Sequence, residues 1–353
     1  MEVNDTREMI RALDEQIIRL AAERIRLAEE LGRMKDQSGA PISDFSQEAL
    51  VLSRAREISK AQGISPLLGE DLLHRLIEEA VVVQETDRIR RDPFADGQVA
   101  VVYGGAGRMG VWMSNFLATQ GLQVHVQDPA RGLVVDAATL SSAEWIFMAT
   151  PPNETARLYQ SWVEHPPTAI ICDLCSIKTP LRDALEALAE NGARVTSAHP
   201  MFGPSTRMLR DHDIVISPCG NEEADNELIN LLGSTSARLI MVPLDQHDEW
   251  MADALALAHA SAMTFAHALG DDPQPLRSET LGIALDMAEG VVHESPDVYF
   301  EIQAHNPHTL ESLRRLKDSV NTFESIVSNM DRRAFELYMQ TAARRVQAHR
   351  SEP

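Results

Sequence analysis

Apolar residues recur along this chain in two rhythms. From Ile10 to Met34 they step by three and four: Ile10, Leu13, Ile17, Leu20, Leu27, Leu31 and Met34. Such a stripe predicts one long amphipathic helix. Asn4 or Asp5 would open it and the Gly39-Ala40-Pro41 run would close it. At 1.5 Å per residue it spans about 50 Å. Two shorter helices follow, roughly 46–61 and 66–84, and the second sets Ile77, Ala80 and Gln84 on one face. They cannot cover the whole of the first helix, so two chains are expected to pair through it.

Beyond residue 97 the rhythm changes to short apolar runs between amphipathic stretches. Val99–Tyr103, Leu122–Val126, Trp145–Ala149, Ala169–Asp173, a run around Val215 and Leu239–Val242 read as strands. The first is followed by Gly105-x-Gly107-x-x-Gly110 and a helix through Trp112, Phe116 and Leu117 that stops at Gly121. Strand, glycine turn, helix and strand in this order predict an α/β Rossmann-type doubly wound, mostly parallel sheet. From Asp245 the pattern is helical again. Ala254, Leu257, Ser261 and Phe265 form one stripe, and helices continue over Leu281–Val292, Leu310–Val327 and Arg332–Arg350. The expected division is an all-α domain over 1–88, a charged, proline-bearing linker over 89–97, the sheet domain over 98–243 and an α-helical domain over 244–353.

A formal net charge of −21 speaks against a nucleic-acid or anionic-membrane surface. No apolar run reaches the roughly 20 residues of a membrane span, and no basic segment followed by an apolar one marks secretion. Only three cysteines occur, which fits a reducing, cytoplasmic setting. Cys172 and Cys175 lack a second pair and a histidine partner, so they read as buried structure and no metal is expected.

The glycine turn carries the first candidate chemistry. Gly105 is expected to make the sharp turn, Gly107 to let a pyrophosphate approach and Gly110 to let the helix pack on the strand. Arg108 and Met109 open the helix, whose free N–H groups face the phosphates. Asp128, 23 residues after Gly105, would accept the ribose hydroxyls of NAD and repel the 2′-phosphate of NADP. Thr150 ends the next strand at the same sheet edge, as do Ser176, Lys178 and the run Ser197–Pro204. Within that run His199 follows a strand beside a Pro and Gly loop. A neutral imidazole there could take a proton while hydride leaves the adjacent carbon; the alternative is a histidine satisfied by local hydrogen bonds. In the N-terminal helix Arg7 and Arg24 fall on the apolar stripe, with Lys35 at its end. Either they snorkel to solvent or they mark a buried anion site.

These residues carry a resemblance. Residues 5–85 resemble the all-helical chorismate mutase domain, with its arginine-bearing long helix, Lys, Pro, Asp and Glu, and a Gln on the last helix. Resemblance implies that Arg7, reaching into a partner's site, and Arg24 bind carboxylates. It implies that Lys35 and Gln84 donate to the ether oxygen that breaks, and that Asp44 and Glu48 meet the C4 substituent. A Claisen rearrangement needs no acid or base, only a compact conformer and donors aimed at growing charge. Residues 98–340 resemble prephenate dehydrogenase through GGAGRMG, Asp173-x-x-Ser176-x-Lys178, HPMFGP and His247-Asp248. By that resemblance His199 polarises the C4 group, Ser176 bonds to His199 or the substrate, and His247 and His259 lie near the site. For the last two, structural histidines are the alternative. The resemblance also makes the C-terminal helices a dimerisation domain, and the chain a homodimer that uses NAD and small-molecule substrates.

The chain departs from the family pattern at four places. Gln47 precedes Glu48 where the family has arginine, and Ala80 replaces a serine four residues before Gln84. Val291, after Gly290, and Ile283 stand where the family has arginines that hold a substrate carboxylate. His293 or Arg277 could substitute. Two substrate pairs therefore compete, chorismate with prephenate and their 4-amino-4-deoxy analogues. A catalytically silent regulatory dimer, and a dehydrogenase whose mutase half only dimerises, are the other readings.

Overall fold

In the computed structural model the described residues are 3–38, 45–206, 209–210, 212–272, 276, 278–293 and 295–350. Asp44 and Arg277 lie outside them. The N-terminal region is three helices, α1 (Val3–Ser38), α2 (Phe45–Ala61) and α3 (Pro66–Arg91). α1 is already helical at Val3, so Asn4 and Asp5 sit inside its first turn, where Asp5 favours the positive dipole end. Pro66 starts α3 at a position where a missing N–H costs nothing. Ile77, Ala80 and Gln84 are all buried, as their spacing predicts.

α3 runs about two turns past its expected end and into the segment read as a linker. Its extension is anchored by charge. Asp87 accepts from Arg33 of α1, Nε at 2.9 Å and Nη2 at 3.1 Å, and from Arg91 Nε at 2.9 Å. The bidentate pair ties α1 to α3 in a stretch whose one apolar residue, the buried Ile89, makes no periodic stripe. The opposite stripe of α1 is open: Ile10, Leu13, Ile17, Leu20, Leu27, Leu31 and Met34 are all exposed.

The sheet has seven strands: β1 (Val99–Tyr103), β2 (Gln123–Gln127), β3 (Trp145–Met148), β4 (Ile170–Asp173), β5 (Val195–Pro200), β6 (Asp213–Ser217) and β7 (Arg238–Met241). Their order is β2-β1-β3-β4-β5-β6-β7. All neighbours run parallel except β5 and β6, which pair antiparallel with Ser197 opposite Ser217 and His199 opposite Val215. β1, β3 and β4 are buried almost throughout, as continuous apolar runs covered on both faces should be. β2 and β7, at the two edges, are largely half-buried or exposed. Helices α4 (Arg108–Thr119), α5 (Ala137–Ser142), α6 (Pro152–Trp162), α7 (Arg182–Glu190) and α8 (Glu222–Gly233) connect the strands. The core gathers Val102, Met113, Leu117, Trp145, Phe147 and Leu228.

The chain divides into two compact units. One holds 1–150, 162–174 and 186–241, so the three N-terminal helices and the sheet belong together. The other holds 151–161, 175–185 and 242–353. Its later helices are α9 (His247–Met251), α10 (Ala258–Ala268), α11 (Glu279–Val292), α12 (Pro296–His305), α13 (Thr309–Ser328) and α14 (Arg332–Arg350). Between α9 and α10 the backbone forms a π-helical segment, Ala252–Leu257. The wider turn shifts the phase of the buried face. Ala252, Ala256, Ala260 and Ala262 are buried, whereas Ala254 of the expected stripe is exposed.

Candidate active sites

The glycine turn has its geometry set by four glycines. Gly104, not Gly105, adopts the left-handed conformation, at φ +69°. Its N–H donates to Gln127 O at 2.9 Å, which places the turn beside the end of β2. Gly105 is required for another reason: a Cβ there would lie 2.7 Å from Val126 Cγ1 and 2.9 Å from Val102 O. At Gly110 a Cβ would lie 2.2 Å from Gly104 O, so α4 meets the turn backbone to backbone. Gly107 caps α4 without a side chain, and a Cβ on it would come within 3.1 Å of Gly104 O. The first N–H groups of α4 at Arg108 and Met109 thus begin at a bare backbone. Asp128 lies just past β2, and its Oδ2 accepts from Ala106 N at 3.2 Å. A carboxylate beside a bare, donor-rich helix start fits an NAD ribose and pyrophosphate. Thr150 closes the wall, its methyl near Gly104.

His199 does not follow β5 but belongs to it, as its penultimate residue, and is buried. The following loop folds onto α4. Phe202 meets the Trp112 ring edge-on at 4.9 Å, and Trp112 Nε1 donates to Thr206 O at 3.0 Å. One helix therefore carries the glycine cradle and also holds the loop that follows β5, two residues beyond His199.

The second unit has its own buried knot. Asp248 accepts from Lys178 N at 2.8 Å, from Thr179 N at 2.7 Å and from Thr179 Oγ1 at 2.6 Å. His247 Nδ1 lies 2.7 Å from Asp248 Oδ1, a contact that fixes Nδ1 as the protonated ring nitrogen. Asn306 Nδ2 donates to the Asp248 carbonyl at 2.7 Å. Ser176 is half-buried on the loop that this knot holds, and Lys178 is fully buried. Burial opposes the charge on Asp248, but hydrogen bonds from His247, Thr179 and the Lys178 amide hold its pKa below the ordinary carboxylate value. A depressed carboxylate contributes stability above its unfolded pKa and loses it as pH falls through the native value. Asp248→Asn is therefore expected to lower Tm at neutral pH by several degrees, about 1–3 kcal/mol for unsatisfied buried donors. It should also flatten the acid limb of a Tm-against-pH scan.

His259 stands edge-on to Tyr299, ring centroids 4.6 Å apart. Burial keeps it on the neutral side, and its Nδ1 meets no partner among the described residues. Val291 is half-buried near the end of α11, Ile283 is 65% exposed, and His293 caps the helix.

In the helical region the expected cations and donors are not all gathered. Arg24 Nη1 donates to Leu76 O at 2.9 Å. Gln84 Nε2 donates to the Ala28 carbonyl, and its stem crosses Gly32, where a Cβ would lie 2.8 Å away. Lys35 is half-buried at the end of the same helix, whereas Arg7 and Gln47 are exposed. Glu48 has a partner that the sequence did not suggest, Arg210 of the segment between β5 and β6, with Nη2 2.5 Å from Oε2. The Asp248 knot and Gly104 were likewise missed as site features. The His-Asp dipeptide was the only trace of the first, and a third adjacent glycine the only trace of the second.

Comparison with known proteins agrees with both halves. Residues 6–85 match the family model of chorismate mutase type II, and residues 109–241 match that of the prephenate dehydrogenase nucleotide-binding domain. The T-protein of Enterobacter agglomerans is 27% identical over 342 residues, 95% of this chain and 90% of the relative. The 4-amino-4-deoxyprephenate dehydrogenase of Streptomyces pristinaespiralis is 27% identical over 236 residues, 59% of this chain and 77% of the relative. Among solved structures, prephenate dehydrogenase from Aquifex aeolicus shares the fold, with a TM-score of 0.56 at 14% identity, over 71% of this chain and 99% of that one. The chain therefore belongs to the bifunctional chorismate mutase–prephenate dehydrogenase family, an isomerase and an NAD-dependent oxidoreductase in one polypeptide.

Proposed function

We propose that the chain acts on the C4-amino substrate pair. Its mutase domain would rearrange 4-amino-4-deoxychorismate, and its dehydrogenase would oxidise and decarboxylate the product to p-aminophenylpyruvate. The observation that carries this reading is the frame of α11, where Val291 and Ile283 stand in place of two arginines. A hydroxyl substrate brings two carboxylates and no cation. Exchange of its hydroxyl for an ammonium lowers the net negative charge by one, which accounts for one of the two missing guanidiniums. Gln47, in place of an arginine beside Glu48, is a further departure in the mutase domain. The Streptomyces pristinaespiralis relative supports the same reading.

In the mutase domain no residue has to transfer a proton. Arg24, with Arg7 of a second copy, would hold the carboxylates, and Asp44, Gln47 and Glu48 would surround C4. Lys35 and Gln84 would donate to the ether oxygen as negative charge grows on it. Gln84 must exchange the Ala28 carbonyl for that oxygen, a swap between acceptors on one donor. The open stripe of α1 supports a homodimer in which a second α1 covers it.

In the dehydrogenase, Gly105, Gly107, Gly110, Arg108, Met109, Asp128 and Thr150 would hold NAD, which accepts a hydride from C4. His199 takes a proton from the C4 nitrogen as that hydride leaves. The protonated C=N bond so formed draws in the electron pair released when the ring C–CO₂ bond breaks, and the ring becomes aromatic with a neutral amine at C4. By the family resemblance Ser176 would supply a hydroxyl to the substrate, and His247 and His259 would serve the same reaction. The domains are proposed as mutase over 1–88, linker over 89–97 with its first three residues inside α3, NAD-binding over 98–243 and substrate-binding and dimerising over 244–353.

A second reading, chorismate and prephenate, is favoured by the T-protein relative that spans nearly the whole chain. NADH formation with each starting compound decides between them: a signal with the amino compound alone supports the proposal, and full turnover of chorismate alone refutes it. Val291→Arg should shift kcat/KM toward prephenate by about tenfold, the effect of one added carboxylate contact.

A further inference from the structure

The Glu48–Arg210 ion pair joins residues 162 positions apart, and its side chains are only 19% and 11% exposed. Glu48 lies in the first turn of α2, in the mutase half. Arg210 lies in the dehydrogenase half, on the segment that leaves β5 just after His199 and is pinned to α4 by Trp112 and Phe202. A largely desolvated pair of this kind is expensive to form and strongly destabilising to half-break, so it fixes geometry more than it adds stability.

We propose that Arg210 is a positioning residue of the mutase site, supplied by the dehydrogenase half. It grips Glu48 through Oε2 and thereby fixes the rotamer in which the carboxylate faces the C4 substituent. This rests on the placement of Glu48 beside C4. The pairing also explains how the site tolerates Gln47. A single guanidinium still neutralises Glu48, but it approaches from across the domain boundary rather than from the neighbouring residue on α2. The cation is held by the glutamate, which keeps the carboxylate oriented as an acceptor for an ammonium or hydroxyl hydrogen. One segment would then serve two reactions, with His199 at its root and Arg210 near its far end.

The test uses the full chain and follows loss of 4-amino-4-deoxychorismate and of chorismate. Glu48→Gln, Arg210→Gln, Arg210→Lys and the double Gln variant are compared with the parent. Arg210→Gln should raise the mutase KM about tenfold with kcat changed less than about threefold. It should match Glu48→Gln, and the double variant should be no worse than either, because both remove the same interaction. Arg210→Lys should recover most of the loss. The proposal is overturned if Arg210→Gln leaves KM at the parent value while Glu48→Gln raises it, or if the two losses multiply in the double variant. It is also overturned if both activities fall together with Tm and Arg210→Lys does not recover KM. A parent protein that rearranges neither compound overturns the mutase assignment itself, a result distinguishable because it needs no variant.

Discussion

His199→Asn should reduce dehydrogenase kcat by about 10³-fold, within the range found when a positioned acid–base group is lost, while the mutase rate stays near its parent value. The imidazole is buried within β5, opposite Val215 of an antiparallel neighbour, so the ring is carried on sheet rather than on a loop. An asparagine is close in size and can still hydrogen-bond, so β5 should survive the change. What it cannot do is accept a proton as the hydride leaves C4. Without that acceptor the C4 ammonium keeps its proton and has no lone pair with which to form the C=N bond. Stopped-flow traces of NADH formation should slow with little change in KM, the pattern of an interaction made only in the transition state. A fall of less than tenfold would move the proton to another group, and His247, oriented by Asp248, is the next candidate.

Gly110→Ala should abolish measurable NAD binding and reduce stability by about 1–3 kcal/mol, as overpacked sites do. The added methyl would sit 2.2 Å from Gly104 O and 2.6 Å from Gly105 Cα, which are backbone atoms that cannot swing away. α4 would have to lift from the turn, carrying the N–H groups at Arg108 and Met109 with it. Trp112 is on the same helix, so the His199 segment that it anchors should loosen too. Gly107→Ala offers the graded comparison: its Cβ would come only within 3.1 Å of Gly104 O, so the protein should stay folded with weakened cofactor affinity. Calorimetric titration with NAD and a thermal melt of both variants check this. Equal binding by the two proteins would disprove the cradle geometry.

The sheet and its glycine turn were plain in the sequence because each signal is local. Five residues of continuous apolar character make β1, and the glycine spacing needs only its own few residues to be read. The α1 stripe was legible for the same reason. Three things were not. The left-handed position fell on Gly104, since three closely spaced candidates, Gly104, Gly105 and Gly107, look alike until the approach of β2 and the Ala149 carbonyl is known. The extension of α3 to Arg91 depends on Arg33, more than fifty residues away in sequence. The Glu48–Arg210 pair joins two elements that no periodicity relates. Local patterns thus declare elements, while long-range charge pairs decide where they stop and what they touch.

A single-codon deletion between Ala252 and Leu257 would convert the π segment into ordinary α-helix. The wide turn absorbs one extra residue, so the helices before and after it would keep nearly the same relative phase. His259 sits two residues past that segment and packs on Tyr299. The extra residue is thus a removable insertion: a chain lacking it should still pack His259 on Tyr299, and a shorter, regular helix would simply carry an unbroken i, i+4 alanine stripe.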